Sequence, residues 1–478
     1  MSFPVLGFQS NQAAITRAFR IAMGDLSSNT LPHQAGLLSS AQPMIMAGLD
    51  YDSPWTRDSS INVWNAGSLI VPEIAQNTLQ GVLEVFEGEP RIGGQYWDQI
   101  IWVTAAWHHW LVTGDRDFLV TAHLATENSL RYLEKEEFDS QKGLFRGGAC
   151  FQDGVSGYPD RYARHGTSDI RHWVEAHPKE RAPVGAGLPM MATSTNCLYY
   201  SAYHCAALMK EILGEPGAEL CRTKGARLRA AIQQHLWNEA AGNFHYLIDP
   251  WETCSHQEGL GSAFAILLGL TEPAQTSRVL ASQHITPHGI PCVWPSFDRY
   301  RSADGTSYGR HSGTIWPQVQ GFWAEAAAQS GRPDLLLHEL VNLSTKAVRD
   351  AQFTEIYHPD TGEIYGGRQE PFEGGPVKEW ESCRRQTWSA TAYLRMILHG
   401  VLGLKFTPEG LSFHPQNADP LTSLKLTGLP YRDSVLQIEL EGTGSRLSEF
   451  RVNGQKRERA FIAATEKGSL DLFLRVSA

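Results

Sequence analysis

Two acidic side chains stand in segments whose composition suits acid–base work on a sugar. Asp153 lies in Gly147-Gly148-Ala149-Cys150-Phe151-Gln152-Asp153-Gly154-Val155-Ser156-Gly157-Tyr158-Pro159-Asp160, where glycines permit close approach of a ligand and Phe151 supplies an apolar wall. Apolar surroundings raise a carboxyl pKa toward general-acid duty, so Asp153 is expected to donate a proton. Glu355 lies in Phe353-Thr354-Glu355-Ile356-Tyr357-His358-Pro359-Asp360-Thr361-Gly362. The chain there leaves a helix near Ala351 and turns at Pro359 to Gly362, so Glu355 projects from a fixed neck beside Tyr357 and is expected to hold a water. An acid and a base on opposite faces of one anomeric carbon cleave a glycosidic bond with inversion, and need roughly 6.5 to 9.5 Å between them to admit that water. The plain structural alternatives are an Asp-Gly turn at Asp153 and a surface acid at Glu355. Glu379, Glu381 and Glu175 are the next acids in order.

Other constellations read as substrate holders. Tyr51-Asp52-Ser53-Pro54-Trp55-Thr56-Arg57-Asp58 and Tyr96-Trp97-Asp98 each open a helix, whose N-terminal dipole then faces a pocket. Ser312-Gly313-Thr314-Ile315-Trp316-Pro317 and Gln386-Thr387-Trp388-Ser389 open two more. Trp55, Arg57, Asp58, Trp97, Asp98, Tyr158, Trp316, Tyr357 and Trp388 are therefore expected to line a sugar site, because pyranose C–H faces stack on rings while hydroxyls bond to carboxylates. His108 and His109 are adjacent in mid-helix and point about 100° apart, so a shared metal is not expected. No HExxH or Cys/His spacing occurs, and Gly93-Gly94 and Gly366-Gly367 lack the strand–glycine–helix context of a nucleotide loop. No metal and no cofactor is expected. A sugar epimerase would use histidines instead, with His108, His204 or His311 as candidates.

These residues must be positioned by helices. Amphipathic stretches run through 11 to 23, 59 to 68, 73 to 86, 97 to 113, 115 to 134, 192 to 213, 216 to 237, 256 to 269, 273 to 283, 313 to 329, 332 to 351 and 384 to 401. Joints such as Val112-Thr113-Gly114-Asp115, Gly214-Glu215-Pro216 and Ser330-Gly331-Arg332-Pro333 are short and imply antiparallel neighbours. Longer segments at 24 to 58, 135 to 191, 238 to 255, 284 to 312 and 352 to 383 are rich in Trp, His, Asp, Glu and Gly and read as pocket walls. Six hairpins with short turns on one face and long loops on the other predict an (α/α)6 barrel over 1–403. From 404 to 478 short alternating stretches separated by Gly, Pro, Asn and Asp predict a small C-terminal antiparallel β-sandwich, read as a cap on the barrel.

Composition narrows the partners. A net charge of -10 without basic runs repels nucleic acid and anionic membrane, so the expected partner is a small carbohydrate, with a homo-oligomer left open. The 7 cysteines are scattered and odd in number, which suits reduced thiols, and the N-terminus lacks the apolar core of a signal peptide, so a cytoplasmic location is expected.

The quoted motifs resemble those of the six-hairpin glycosidases, above all glycoside hydrolase family 63 (processing α-glucosidase and mannosylglycerate hydrolase) and the amylo-α-1,6-glucosidases. FQDGVSGYPDR resembles the Gly-rich motif that carries the acid, which implies Asp153, with Asp160 as the alternative because the family's acid stands closer to Tyr-Pro. FTEIYHPDTGE resembles the motif whose Glu activates water, which implies Glu355, and WTRD, SGTIWPQ and RRQTWSA resemble the family's substrate-clamp signatures. The resemblance implies an inverting α-glucosidase-like hydrolase. The β-rich tail resembles that of α-L-rhamnosidases and disaccharide phosphorylases, which share the barrel and remain alternatives.

Overall fold

The computed structural model describes residues 3, 6–163, 168–369 and 378–477. All twelve stretches read as helical contain helices, in the order α1 (Ala13–Ser28), α2 (Thr56–Asn62), α3 (Pro72–Gly81), α4 (Ile101–Thr113), α5 (Arg116–Glu137), α6 (Thr193–Leu213), α7 (Ala218–His235), α8 (Gly259–Leu267), α9 (Pro273–Ser282), α10 (Pro317–Gln329), α11 (Pro333–Asp350) and α12 (Thr387–Arg395). Two π-helical turns, Val63–Gly67 and Met396–Val401, prolong α2 and α12.

The joints work as their residues dictate. Gly114 ends α4 in the left-handed region at φ 73°, and the Asp115 carboxylate then caps α5 by accepting from the Asp117 and Phe118 amides at 2.9 and 3.0 Å. At α9, Glu272 and Gln275 form a capping box ahead of Pro273.

Packing follows an alternating order. α2, α4, α6, α8, α10 and α12 each touch the next, and α12 returns to α2. α4 and α10 are buried around almost their whole circumference, as an inner helix must be, whereas α1, α5 and α11 are amphipathic and pack outside, α5 on α4, α11 on α10 and α1 on α12. Inside the ring the guanidinium of Arg395 is paired with Glu325 and stacked on Trp64 and Phe322, with its carbon 4.6 and 4.2 Å from the ring centres. Both charges are almost wholly out of water, so Arg395→Met is expected to destabilise the fold by about 3–5 kcal/mol through the stranded Glu325 carboxylate, while Arg395→Met with Glu325→Leu recovers most of that. Urea unfolding midpoints of the single and double variants check this.

Two departures from the expected elements have local causes. The helix expected to reach 86 ends at Gly81, and Leu83–Phe86 pairs with Glu89–Ile92 as a hairpin. Val85 and Phe86 favour a strand, and the turn Glu87-Gly88 has φ of 52° and 84°, as a tight two-residue hairpin requires.

The second departure is in the β-rich tail, which was expected to be antiparallel. Strand β1 (Gly7–Ser10) precedes α1, and beyond the helices follow β2 (Leu404–Thr407), β3 (Gly410–Phe413), β4 (Ser423–Tyr431), β5 (Ser434–Glu441), β6 (Arg446–Val452), β7 (Gln455–Lys456), β8 (Phe461–Ala463) and β9 (Gly468–Ser477). One sheet has the order β1-β4-β5-β9-β6-β7, and a second has β2-β3-β8. The last strand inserts between β5 and β6 and runs parallel to β5, with Ser434 opposite Gly468 and Glu441 opposite Arg475. The excursion through β6, β7 and β8 supplies the long crossover that a parallel pair needs. Leu470, Leu472, Leu474 and Val476 point one way into the core, which makes β9 the natural central strand. The edge strand β1 comes from the N-terminal residues that the sequence leaves with the helices, and it pairs Gly7–Ser10 with Thr427–Leu424.

Candidate active site

The inner helices α2, α10 and α12 begin at one end of the ring, and the segments before them converge there. They enclose a cavity of about 140 Å³ whose walls include Trp55, Arg57, Asp58, Asp153, Trp316, Glu355 and Trp388 from the expected set. Asp153 and Glu355 thus open into the same space.

Asp153 is held from several sides. Its loop places Phe151 in the left-handed region at φ 62°, an unfavourable conformation for a bulky residue, fixed by the Cys150 amide donating to Ser194 Oγ at 2.9 Å. Gly154 must be glycine, because a Cβ there would collide with Gln369 Oε1 and His311 Nδ1. Arg57, in the first turn of α2, donates from Nη2 to Asp153 Oδ2 at 2.8 Å and from Nη1 to Asp98 Oδ2 at 2.9 Å and Gln95 Oε1 at 2.6 Å. His311 Nε2 stands 3.7 Å from the other Asp153 oxygen.

The electrostatics differ from expectation at this residue. Burial works to raise the Asp153 carboxyl, but the charge and the hydrogen bond of Arg57 outweigh it and hold it below the usual carboxylate value, so the expected upward shift is corrected to a downward one. The raised group in the cavity is Asp58, pushed up to about 7 by burial and by the nearby Glu355, Asp98 and Asp153 carboxylates against the pull of Arg57. Burial, together with Arg310 and Arg57, brings His311 down to about 3, leaving a neutral imidazole.

Glu355 is held differently. Its carboxylate accepts from Arg310 Nη2 at 2.6 Å, Tyr51 OH at 3.0 Å and the Cys383 amide at 3.2 Å. Burial and the Glu355 charge push the Tyr51 phenol far above its ordinary value, so it remains a donor. Three charge-assisted bonds, one from a guanidinium and two from neutral donors, fix the carboxylate in one orientation.

Four expected holders do not line this cavity. Asp98 sits behind Arg57, buried, on the wall of a wider neighbouring cavity. Trp97 is fully buried and its indole donates to the Ala149 carbonyl at 3.1 Å, which supports the Asp153 loop from beneath. Tyr158 is buried with its hydroxyl donating to the Gln152 carbonyl at 2.5 Å, and Tyr357 pairs through its backbone with Ile315 at 2.9 and 3.0 Å under the ammonium of Lys346. These three rings consume their polar groups on backbone or core, so the expectation that they touch sugar is corrected to a supporting role. Asp160, Glu175, Glu379 and Glu381 are exposed and outside the lining. His204 is exposed, and His108 is buried between His399 and Phe406, away from the cavity. Among the described residues no group of His, Cys, Asp and Glu could hold a metal, and no helix is long and apolar enough to cross a membrane.

Tyr51, Gln95, Phe151, Arg171 and Arg310 line the cavity without being among the expected holders, and His311 is expected from the sequence only as an epimerase candidate. The available signal is Arg310-His311 just ahead of Trp316, a cation at a Trp-bearing helix entry.

The family model described as Mannosylglycerate hydrolase MGH1-like glycoside hydrolase domain matches residues 62–389, well over half of the chain. The chain belongs to this family. Residues 62–389 are thus a glycoside hydrolase domain of the MGH1-like type. No curated protein matches it. The MGH1-like chain shares its fold with a sialidase (TM-score 0.69, 13% identity, 96% of this chain and 41% of that one) and with a family 78 rhamnosidase of Bacillus sp. GL1 (0.57, 14%, 99% and 44%). It therefore spans less than half the length of either. A family 63 mannosylglycerate hydrolase from Thermus thermophilus, in complex with glucose, is matched at TM-score 0.58 and 17% identity over 79% of this chain and 98% of that one.

Proposed function

We propose that this MGH1-like hydrolase removes a single α-linked, glucose-like residue from a small glycoside with inversion, Asp153 acting as general acid and Glu355 as general base. The observation that carries the reading is the shared cavity, in which each carboxylate is oriented by its own guanidinium, Arg57 for Asp153 and Arg310 for Glu355. A space of about 140 Å³ suits one ring rather than a chain, which favours attack on a terminal sugar. Trp55, Trp316 and Trp388 supply apolar faces, and Arg57 and Asp58 hydrogen-bonding groups. We take the closed order of inner helices as an (α/α)6 barrel within 1–403, capped by the β-rich 404–478.

In the reaction Asp153 protonates the glycosidic oxygen as its bond to the anomeric carbon breaks. Glu355 takes a proton from a water that attacks the opposite face. Net, one water is consumed and two hydroxyl groups are formed. The first sugar released from an α-glycoside is then expected to be the β-anomer, read by proton NMR before mutarotation. An α-anomer appearing first would exclude inversion. Hydrolysis is expected without phosphate, and a dependence on phosphate would move the chain to the phosphorylases.

A second assignment of the acid is favoured by one observation. Asp58 lies close to both Glu355 and Asp153 with its carboxyl pushed up to about 7, and so keeps a proton near neutrality where Asp153 does not.

A further inference from the structure

Beside the small cavity opens a wider one of about 540 Å³, and the two share Trp55, Arg57, Gln95 and Arg171 as walls. Arg57, which holds Asp153, lies on both walls, so the wider cavity adjoins the proposed acid. Trp55, 53% exposed, stands at the junction and offers a flat apolar face.

Among the described residues the guanidiniums of this space are already paired. Arg57 faces Asp98 and Asp153, Arg310 faces Glu355, and Arg171 is bonded to both oxygens of Asp169, from Nε at 3.1 and 2.9 Å and from Nη2 at 2.5 Å. Asp98 and Glu84 add carboxylates to the wider wall. His33 is the one further basic side chain among the described residues of that wall.

We propose that the wider cavity is the leaving-group subsite and that it takes an uncharged, hydroxyl-rich aglycone such as a second sugar ring, stacked on Trp55, in preference to one bearing a carboxylate. This rests on the hydrolysis proposed above. Hydroxyls donate to Glu84 and the Gln95 amide oxygen, whereas an incoming carboxylate is repelled by Glu84 and by the Asp98 charge behind Arg57, and has to compete for guanidiniums that are already paired. The preference runs against the mannosylglycerate of the family's name, because glycerate carries a carboxylate.

The test compares kcat/KM of the wild-type protein on paired substrates differing in that group alone, glucosylglycerol against glucosylglycerate and mannosylglycerol against mannosylglycerate, with α-glucosyl and α-mannosyl fluoride as substrates that have no aglycone. The neutral member of the cleaved pair is expected to be favoured at least about tenfold, and Glu84→Lys, which adds an unmatched ammonium to the wider wall, is expected to lower that ratio about tenfold. Equal or reversed preference in the wild type, or an unchanged ratio in Glu84→Lys, overturns the subsite while leaving hydrolysis standing if the fluorides are cleaved. Failure to cleave any of the six compounds overturns both.

Discussion

Replacing Glu355 by Gln is expected to lower kcat by on the order of 10²–10⁴, to the same extent for good and poor leaving groups, because the group lost is the one that activates water. Glutamine keeps the shape and, with its oxygen in the Oε2 position, still accepts from Arg310 and the Cys383 amide while its NH2 donates to the Tyr51 hydroxyl, but it cannot take a proton. Arg310 loses its anionic partner, yet its Nη1 keeps the carbonyls of Gly366 and Glu381 at 2.9 and 3.1 Å, so the variant should remain folded, which thermal unfolding checks. The decisive measurement is rescue by azide, a nucleophile that needs no base. Azide attacking the anomeric carbon of an α-glycoside opposite the leaving group gives a β-glycosyl azide, with Asp153 still supplying the proton to the departing oxygen. Turnover within a few-fold of wild type without azide removes Glu355 from the mechanism, and an α-azide product removes inversion.

What the sequence reveals about this chain depends on how local the cause is. The joints at Gly114-Asp115, Gly214 and Gly331-Pro333 are decided by residues a few positions apart, and they mark the helices of α4/α5, α6/α7 and α10/α11 with little error. Strand β1 is four residues long and finds β4 more than four hundred positions later, so nothing near Gly7 announces it. The hairpin at Leu83–Phe86 shows the limit of periodicity, since a short run of apolar residues reads equally as the last turns of a helix.

The same division holds in the site. Glycine, aromatic and acidic residues crowd the two loops that bear Asp153 and Glu355, and that crowding is visible in the chain. Whether a particular ring faces the cavity or the core is set by its hydrogen-bond partner, and Trp97, Tyr158 and Tyr357 find theirs in backbone and core groups that a linear pattern does not display. The role of Arg310 is hidden because its carboxylate lies 45 positions away, and the direction of the Asp153 shift is hidden because Arg57, 96 positions upstream, points at it. Long-range charge pairing overrides the apolar neighbourhood that the local residues suggest.

Replacing Asp153 by Asn should therefore have a signature in both leaving-group and pH dependence. A sugar leaving group needs protonation, so kcat/KM on a disaccharide is expected to fall by on the order of 10²–10⁴, whereas a glycosyl fluoride or a dinitrophenyl glycoside, which departs without a proton, should lose far less. In the free enzyme the Asp153 carboxyl is held below its usual value by Arg57. Its acid form is thus populated only at low pH, and wild-type kcat/KM should decline as pH rises through that lowered pKa. A bound sugar would cover the Asp153 side chain, which is 36% exposed, and its hydroxyls would compete for Arg57. Both changes favour the protonated form, so the corresponding decline in kcat should fall at higher pH than that in kcat/KM. Asp153→Asn abolishes this basic limb if Asp153 is the acid. If the limb survives in Asp153→Asn, lies near 7 and vanishes in Asp58→Asn, the proton comes from Asp58, and Arg57 then serves to keep Asp153 charged rather than to tune an acid.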